Sequence, residues 1–191
     1  MSKVVFTFGR FNPITIGHEK LANKVRAVAR LEKGDAKIFM SHSQDKKKNP
    51  LDYLTKIKYG QKAFGKTVVR TKSNTIIKIL QELEKNYTEV VLVVGSDRVE
   101  SMKKLINDYN GKDYNFDTIK VVSAGERDPD ADDVSGMSAS KMRQLATDND
   151  LDGFTKGLPK LLQKDPRLCI SGSAQSRVSY RSGSCECTKW H

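Results

Sequence analysis

Apolar residues recur along the chain in two rhythms. In runs such as Val4-Val5-Phe6-Thr7-Phe8 and Val90-Val91-Leu92-Val93-Val94, consecutive positions are apolar. Such runs read as strands buried on both faces, as the middle of a parallel sheet is. Between them apolar residues return every three or four positions, the spacing of a helix with one buried face. The first strand, 4–8, leads to a helix over about 16–32 that carries Leu21, Val25 and Val28, with Gly34 as its stop. A strand over 37–41 and a polar loop over 44–50 follow. A second helix spans about 51–64, with Leu54, Ile57, Gln61 and Phe64 on its stripe and Gly65 at its end. A short strand is expected at 67–70, then a helix over about 75–86 with Ile76, Leu80, Leu83 and Tyr87 inward. The run 90–94 is the most apolar and is placed at the sheet centre. A helix with Val99, Met102, Leu105 and Ile106 facing the core precedes a strand at 118–123. A helix opening at Ser138 and two short pieces split at Pro159 close the pattern near Lys164. Five alternations of strand and helix predict an α/β fold: a doubly wound parallel sheet, Rossmann-like, of about five strands with flanking helices.

The chain of 191 residues suits one domain over 1–165. A flexible tail is expected over 166–191, where Ser, Gly and Arg crowd without periodicity. No run of 18 apolar residues occurs, so no membrane span is expected. The N-terminus enters a strand directly, without a signal-peptide pattern, and a cytoplasmic location is the expectation. The net charge of +11 points to an anionic partner, either nucleic acid or phosphorylated metabolites. The lysines are spread along the chain and no arginine-rich block or nucleic-acid module is seen, so small phosphates are favoured over nucleic acid. The three cysteines, Cys169, Cys185 and Cys187, all fall in the tail. That excludes a disulfide framework for the fold. Cys185 and Cys187 with His191 lack the second pair that a four-ligand metal set needs. Nothing in the sequence sets an oligomeric state.

The chemistry gathers around Gly9-Arg10-Phe11-Asn12-Pro13-Ile14-Thr15-Ile16-Gly17-His18, a turn between the first strand and the first helix. In an open α/β sheet this turn binds phosphates against the helix N-terminus. The pattern G-x-F-x-P-x-T-x-G-H resembles the signature of the HIGH-motif nucleotidyltransferase superfamily. That superfamily includes cytidylyltransferases, pantetheine-phosphate adenylyltransferases and nicotinamide-mononucleotide adenylyltransferases. Thr15 takes the first His position of the H-x-G-H form. Met137-Ser138-Ala139-Ser140-Lys141-Met142-Arg143 resembles the superfamily's second signature, I-S-S-T-x-x-R, with Met137 at the Ile position. Together the two signatures imply a nucleoside triphosphate site at one end of the sheet.

The resemblance gives His18 the role of hydrogen-bond donor to the α- and β-phosphates. Ser138 and Ser140 stand at a helix start, where hydroxyls and N–H groups bind phosphate. The Arg143 guanidinium suits β- and γ-phosphate oxygens. Gly9 would let the backbone approach a ligand closely, and Arg10 falls beside it in the nucleotide-binding turn. Phe11 reads either as a neighbour of the nucleotide or as core. Thr15 offers a hydroxyl to a phosphate or caps the helix, and the two roles are compatible. Gly95-Ser96-Asp97 matches a G-x-D turn of adenylyltransferases, where Asp97 would meet ribose; plain turn chemistry is the other reading. Related enzymes bring a lysine after the second strand to the phosphates. Of Lys46, Lys47 and Lys48, Lys47 is taken for that role. The acidic loop Glu126, Asp128, Asp130, Asp132 and Asp133 reads as a solvated lid.

The expected activity is transfer of AMP from ATP to a small phosphorylated acceptor with release of pyrophosphate. Magnesium would enter through the triphosphate and the protein would supply no metal ligands. The Met137–Arg143 segment is nearer the adenylyltransferase form than the R-T-x-G-I-S-T of cytidylyltransferases. By similarity, nicotinamide mononucleotide comes ahead of phosphopantetheine as acceptor. The alternatives are a cytidylyltransferase using CTP, and a non-catalytic nucleotide-binding module suggested by Thr15. A fragment related to class I tRNA synthetases would need Lys-Met-Ser-Lys-Ser, which is absent in that order.

Overall fold

The two most apolar runs lie side by side. In the computed structural model, which describes residues 2–45, 48–125, 137–164 and 166, β1 (Lys3–Gly9) pairs in parallel with β3 (Glu89–Val94), Val4 opposite Val90. On its other side β1 pairs with β2 (Asp35–Met40), and β3 pairs with β4 (Thr118–Ser123). The result is a four-stranded, all-parallel sheet of order β2-β1-β3-β4.

The connecting helices are α1 (Ile16–Leu31), α2 (Tyr53–Phe64), α3 (Ile76–Leu83), α4 (Val99–Tyr109), α5 (Ala139–Thr147) and α6 (Leu151–Lys156). Side chains alternate across a strand, so Val5 and Val4 face opposite ways. Val5, Val91 and Val93 meet α1 at Val25, Val28 and Ala29. Val4, Phe6, Val90 and Leu92 meet α3 and α4 at Ile79, Leu80, Leu83 and Ile106. Helices thus cover both faces, which makes the sheet doubly wound. A third cluster extends the α1 side past the β2 edge. There Ile38 and Met40 pack with Ile57 and Phe64 of α2, Met142 and Ala146 of α5, and Phe154 of α6. No helix among the described residues is long and apolar enough to cross a membrane.

Two expectations change. The strand expected at 67–70 reduces to one parallel bridge, Ile38 to Val68, with the Val69 N–H donating to the Ile38 carbonyl at 3.0 Å. The chain at Gly65–Thr67 is a 3-10 turn instead, so four strands form rather than about five. On α2 the inward face is rotated from the expected stripe. Leu54 is 57% exposed and Gln61 is exposed, while Lys56, Tyr59, Gly60 and Ala63 join Ile57 and Phe64 inside. A Cβ at Gly60 would meet the Met40 methyl of β2, the flexible end of that side chain, which would have to move. The expected tail, 166–191, lies outside the described residues apart from Pro166, and so do Cys169, Cys185, Cys187 and His191.

The strand order reverses between β1 and β3. A doubly wound sheet opens a crevice there, beyond the strand C-termini. The turn after β1 and the Gly95–Arg98 turn after β3 flank that opening.

Candidate functional site

The turn after β1 is held from three directions. Asn12 is buried, and its side-chain amide copies a strand pairing: Nδ2 donates to the Leu51 carbonyl at 3.0 Å, and Oδ1 accepts from the Leu51 N–H at 3.1 Å. The Ile16 N–H, first in α1, donates to the Gly157 carbonyl at 2.9 Å. Arg143 closes the third side. Its Nη1 donates to the Asn12 carbonyl at 2.8 Å and its Nη2 to Ser140 Oγ at 2.9 Å. The second motif therefore grips the first.

Within the turn Phe11 has φ +48° and is buried. A bulky residue in the left-handed region carries backbone strain that its surroundings must hold. Its ring stacks on His18, centroids 4.5 Å apart and planes 34° apart. A Cβ at Gly9 would come within 3.0 Å of the Phe11 ring, so Gly9 makes room for that ring. Phe11 consequently belongs to the core and to the His18 support at once.

Thr15 is extended, at the N-cap of α1, as expected. The capping interaction runs back from the helix. His18 Nδ1 accepts from the Thr15 N–H at 2.9 Å and lies 3.0 Å from Thr15 Oγ1. This is the capping-box arrangement with histidine in place of the usual Glu or Gln. A ring nitrogen that accepts from a backbone N–H carries no proton of its own. The neutral ring then bears its hydrogen on Nε2, where it can serve as a donor. Gly17 sits between them in the first helical turn. A Cβ there would meet only Thr15 Oγ1, at 3.5 Å. A helical glycine costs about 1 kcal/mol relative to alanine, and no neighbour among the described residues requires it.

The remaining residues divide. Ser138 is the N-cap of α5, its Oγ accepting from the Lys141 N–H at 3.1 Å. The Asp97 carboxylate folds back over Gly95, where a Cβ would be 2.7 Å from Oδ1. Asp97 is otherwise exposed, 3.8 Å from an exposed Arg98, a pairing worth little. Arg10 is exposed. Lys46, Lys47 and the acidic residues 126–133 lie outside the described residues, so the structure brings only Lys48 of the three lysines into view. Lys48 is exposed, its N–H donating to Asp45 Oδ1 at 2.6 Å. Among the described residues no three His, Cys, Asp or Glu side chains gather as a metal set.

Two residues of this end of the sheet escaped sequence reasoning. His42, just after β2, stacks on Tyr53 with centroids 3.8 Å apart, its Nε2 3.0 Å from the Thr71 carbonyl. Lys56 is fully buried, and its Nζ donates to the carbonyls of Ser41 at 2.6 Å and Ser43 at 3.0 Å. It fixes the backbone that leads into the loop of Lys46, Lys47 and Lys48. Burial pushes the Lys56 pKa down to about 8, with the Asp52 carboxylate pulling the other way. The unfolded chain therefore binds the extra proton between pH 8 and the ordinary lysine value of 10.5, and stability attributable to Lys56 rises with pH across that window. Urea unfolding at several pH values checks this. Against Lys56→Met, the wild type is expected to gain up to about 3 kcal/mol from the bottom to the top of the window. A difference that stays flat refutes the burial of this cation.

A family model described as cytidylyltransferase-like matches residues 6–145, which contain both motifs and all four strands but the start of β1. Among solved structures, the chain is similar to a putative nicotinate-nucleotide adenylyltransferase from Vibrio parahaemolyticus. The identity is 16%, over 78% of this chain and 89% of that one, with a TM-score of 0.48. No curated protein sequence matches significantly.

Proposed function

The chain belongs to the cytidylyltransferase-like family, a family of nucleotidyltransferases acting on small nucleotide substrates, and from that premise we propose that it transfers AMP from ATP to a small phosphorylated acceptor. The observation that carries the site assignment is Arg143, which bonds the Asn12 carbonyl of one motif and Ser140 Oγ of the other. It joins the guanidinium to the turn that leads into α1 and His18, which supports reading the two motifs as one site.

In this reading the triphosphate lies against the α1 N-terminus, where backbone N–H groups and the helix dipole favour anions. The open space over Gly17 admits it. His18 donates from Nε2 to oxygens between the α- and β-phosphates, and Arg143 faces the β- and γ-phosphates. An oxygen of the acceptor phosphate attacks the α-phosphorus in line. The bond from the α-phosphorus to the bridging oxygen breaks, and its electron pair leaves with pyrophosphate. The acceptor is already anionic, so no side chain has to act as a strong base. The work is positioning and stabilisation of charge. Magnesium arrives as part of the MgATP substrate. Lys47 is assigned to the phosphates during transfer, Asp97 to the ribose side of the crevice, and nicotinamide mononucleotide is the first acceptor to try.

The test is pyrophosphate release with Mg²⁺ and each of ATP, CTP, GTP and UTP, against a panel of phosphorylated acceptors. ATP with one acceptor is expected to give turnover. Turnover with CTP alone moves the reading to a cytidylyltransferase. Nucleotide binding without turnover for any acceptor leaves a binding module.

A further inference from the structure

The net charge of this protein is not spread over it. Residues 20–72 contain fifteen Lys and Arg against four Asp and Glu, a net of +11. The whole chain has 34 basic and 23 acidic residues, so nineteen of each remain elsewhere and cancel. Thirteen of the fifteen are described residues; they lie on α1, β2, α2 and the chain to Lys72, the part of the fold that includes the β2 edge of the sheet, and of them Lys56 alone is fully buried.

Two helices and the turn after the second present six of the fifteen cations on their exposed faces. Both run from the C-terminal to the N-terminal end of the sheet, because each is followed by a segment parallel to β1 or β2. They lie next to each other, joined where Arg26 of α1 donates to the Phe64 carbonyl of α2 at 2.5 Å. The exposed face of α1 carries Lys20, Lys24 and Arg30; the exposed face of α2 and the turn after it carries Lys58, Lys62 and Lys66. Lys20, Lys24, Arg30, Lys58 and Lys66 form no ion pair among the described residues. Four residues of helix rise about 6 Å, so like charges stand close along each row. Such i, i+4 pairs repel by a few tenths of a kcal/mol each. Among the described residues outside 20–72, fourteen Lys and Arg stand against twelve Asp and Glu, so this repulsion is concentrated on the two helices.

We propose that the paired faces of α1 and α2 bind the phosphodiester backbone of a nucleic acid, independently of the transfer reaction. A row of cations at intervals of a few ångströms meets a strand whose phosphates recur at a similar interval. The contact is with phosphates and not bases, because the aromatic side chains of α2 do not reach out: Tyr59 and Phe64 are buried and Tyr53 is stacked on His42. Binding is thus sequence-independent. A membrane surface suits the same charge less well. The exposed leucines of these two helices, Leu31 and Leu54, stand at opposite ends of the two rows and make no patch to insert. A protein partner suits it poorly as well, since protein interfaces are depleted in lysine and anchored by aromatics.

The experiment is fluorescence anisotropy of the full chain with labelled RNA and DNA of about 20 nucleotides, single-stranded and duplex, between about 50 and 200 mM salt. The wild type is expected to bind with a log–log salt slope of about −3 or steeper, as for four or more neutralised phosphates. The combined variant Lys24→Glu, Lys58→Glu, Lys66→Glu should bind at least about 30-fold more weakly at the lowest salt, with a shallower slope. Lys103→Glu, Lys104→Glu, Lys112→Glu, outside 20–72, should change binding less than about threefold. All six positions are exposed; a matching Lys→Gln set gives the same reading if charge reversal disturbs folding. Separate RNA and DNA arms show which polymer is preferred. The proposal is overturned by absence of binding at the lowest salt, by equal loss in the two variants, or by binding to phosphatidylserine vesicles without binding to nucleic acid.

Discussion

Replacing His18 with alanine is expected to lower kcat for pyrophosphate release about 10²- to 10³-fold, with ATP affinity changed only several-fold. The size follows from the geometry around the ring. The Thr15 N–H occupies Nδ1, which leaves Nε2 as the donor of the neutral ring. A donor aimed between the α- and β-phosphates meets more charge in the transition state than in bound ATP, so its loss falls on kcat. The ring also stacks on Phe11, a contact worth about 1 kcal/mol, and alanine removes that too. His18→Phe separates the effects. It keeps an aromatic ring against Phe11 but has neither the Nε2 donor nor the Nδ1 acceptor of the Thr15 N–H, so it should be as slow as the alanine variant and melt above it but below the wild type. His18→Gln, which can place an N–H near the Nε2 position, should recover part of the rate. Single-turnover rates and ATP binding measured on all three decide the matter. An alanine variant within threefold of the wild-type kcat would remove His18 from the chemistry.

Much of the fold was legible because its strands are central. β1 and β3, the two middle strands, are apolar runs that no amphipathic helix could carry, and the edge strand β4 still falls on the residues expected for it, Thr118–Ser123. The expected strand at 67–70 failed for a related reason. Thr67, Val68 and Val69 have strand propensity, but they lie outside the edge strand β2 and keep only the Ile38–Val68 bridge. Propensity in four residues did not outweigh the 3-10 turn that ends α2. The face of α2 was misjudged because apolarity was the only guide to burial. Lys56 goes inside for its two carbonyl partners, and Leu54 goes outside. At the site, the turn–helix motif was readable from spacing. The joining of its two halves was not: Arg143 and Asn12 are 131 residues apart. Spacing also cannot give the orientation of the His18 ring, which depends on a backbone N–H three residues earlier. The concentration of charge in residues 20–72 is written in the sequence, but the pairing of α1 and α2 through Arg26 and Phe64 is not.

The second large effect is expected at Arg143. Its guanidinium uses a planar fork to reach the Asn12 carbonyl and Ser140 Oγ together, which a lysine ammonium cannot copy. Arg143→Ala should lower kcat/KM about 10²- to 10³-fold, and Arg143→Lys should recover little of it. Two causes could produce that loss. Arg143 could touch the β- and γ-phosphates, or it could act through Asn12 to hold the turn that positions His18. The double variant His18→Ala, Arg143→Ala distinguishes them. Groups that stabilise different phosphates lose independently, and their effects multiply. A group that acts only by placing His18 adds nothing once His18 is gone. The expected result is close to the product of the two single effects, because the contact with Asn12 fixes the guanidinium plane and leaves Arg143 its own share of the triphosphate charge. A double variant no slower than His18→Ala would make Arg143 a positioning residue, and the link between the two motifs would then be structural alone.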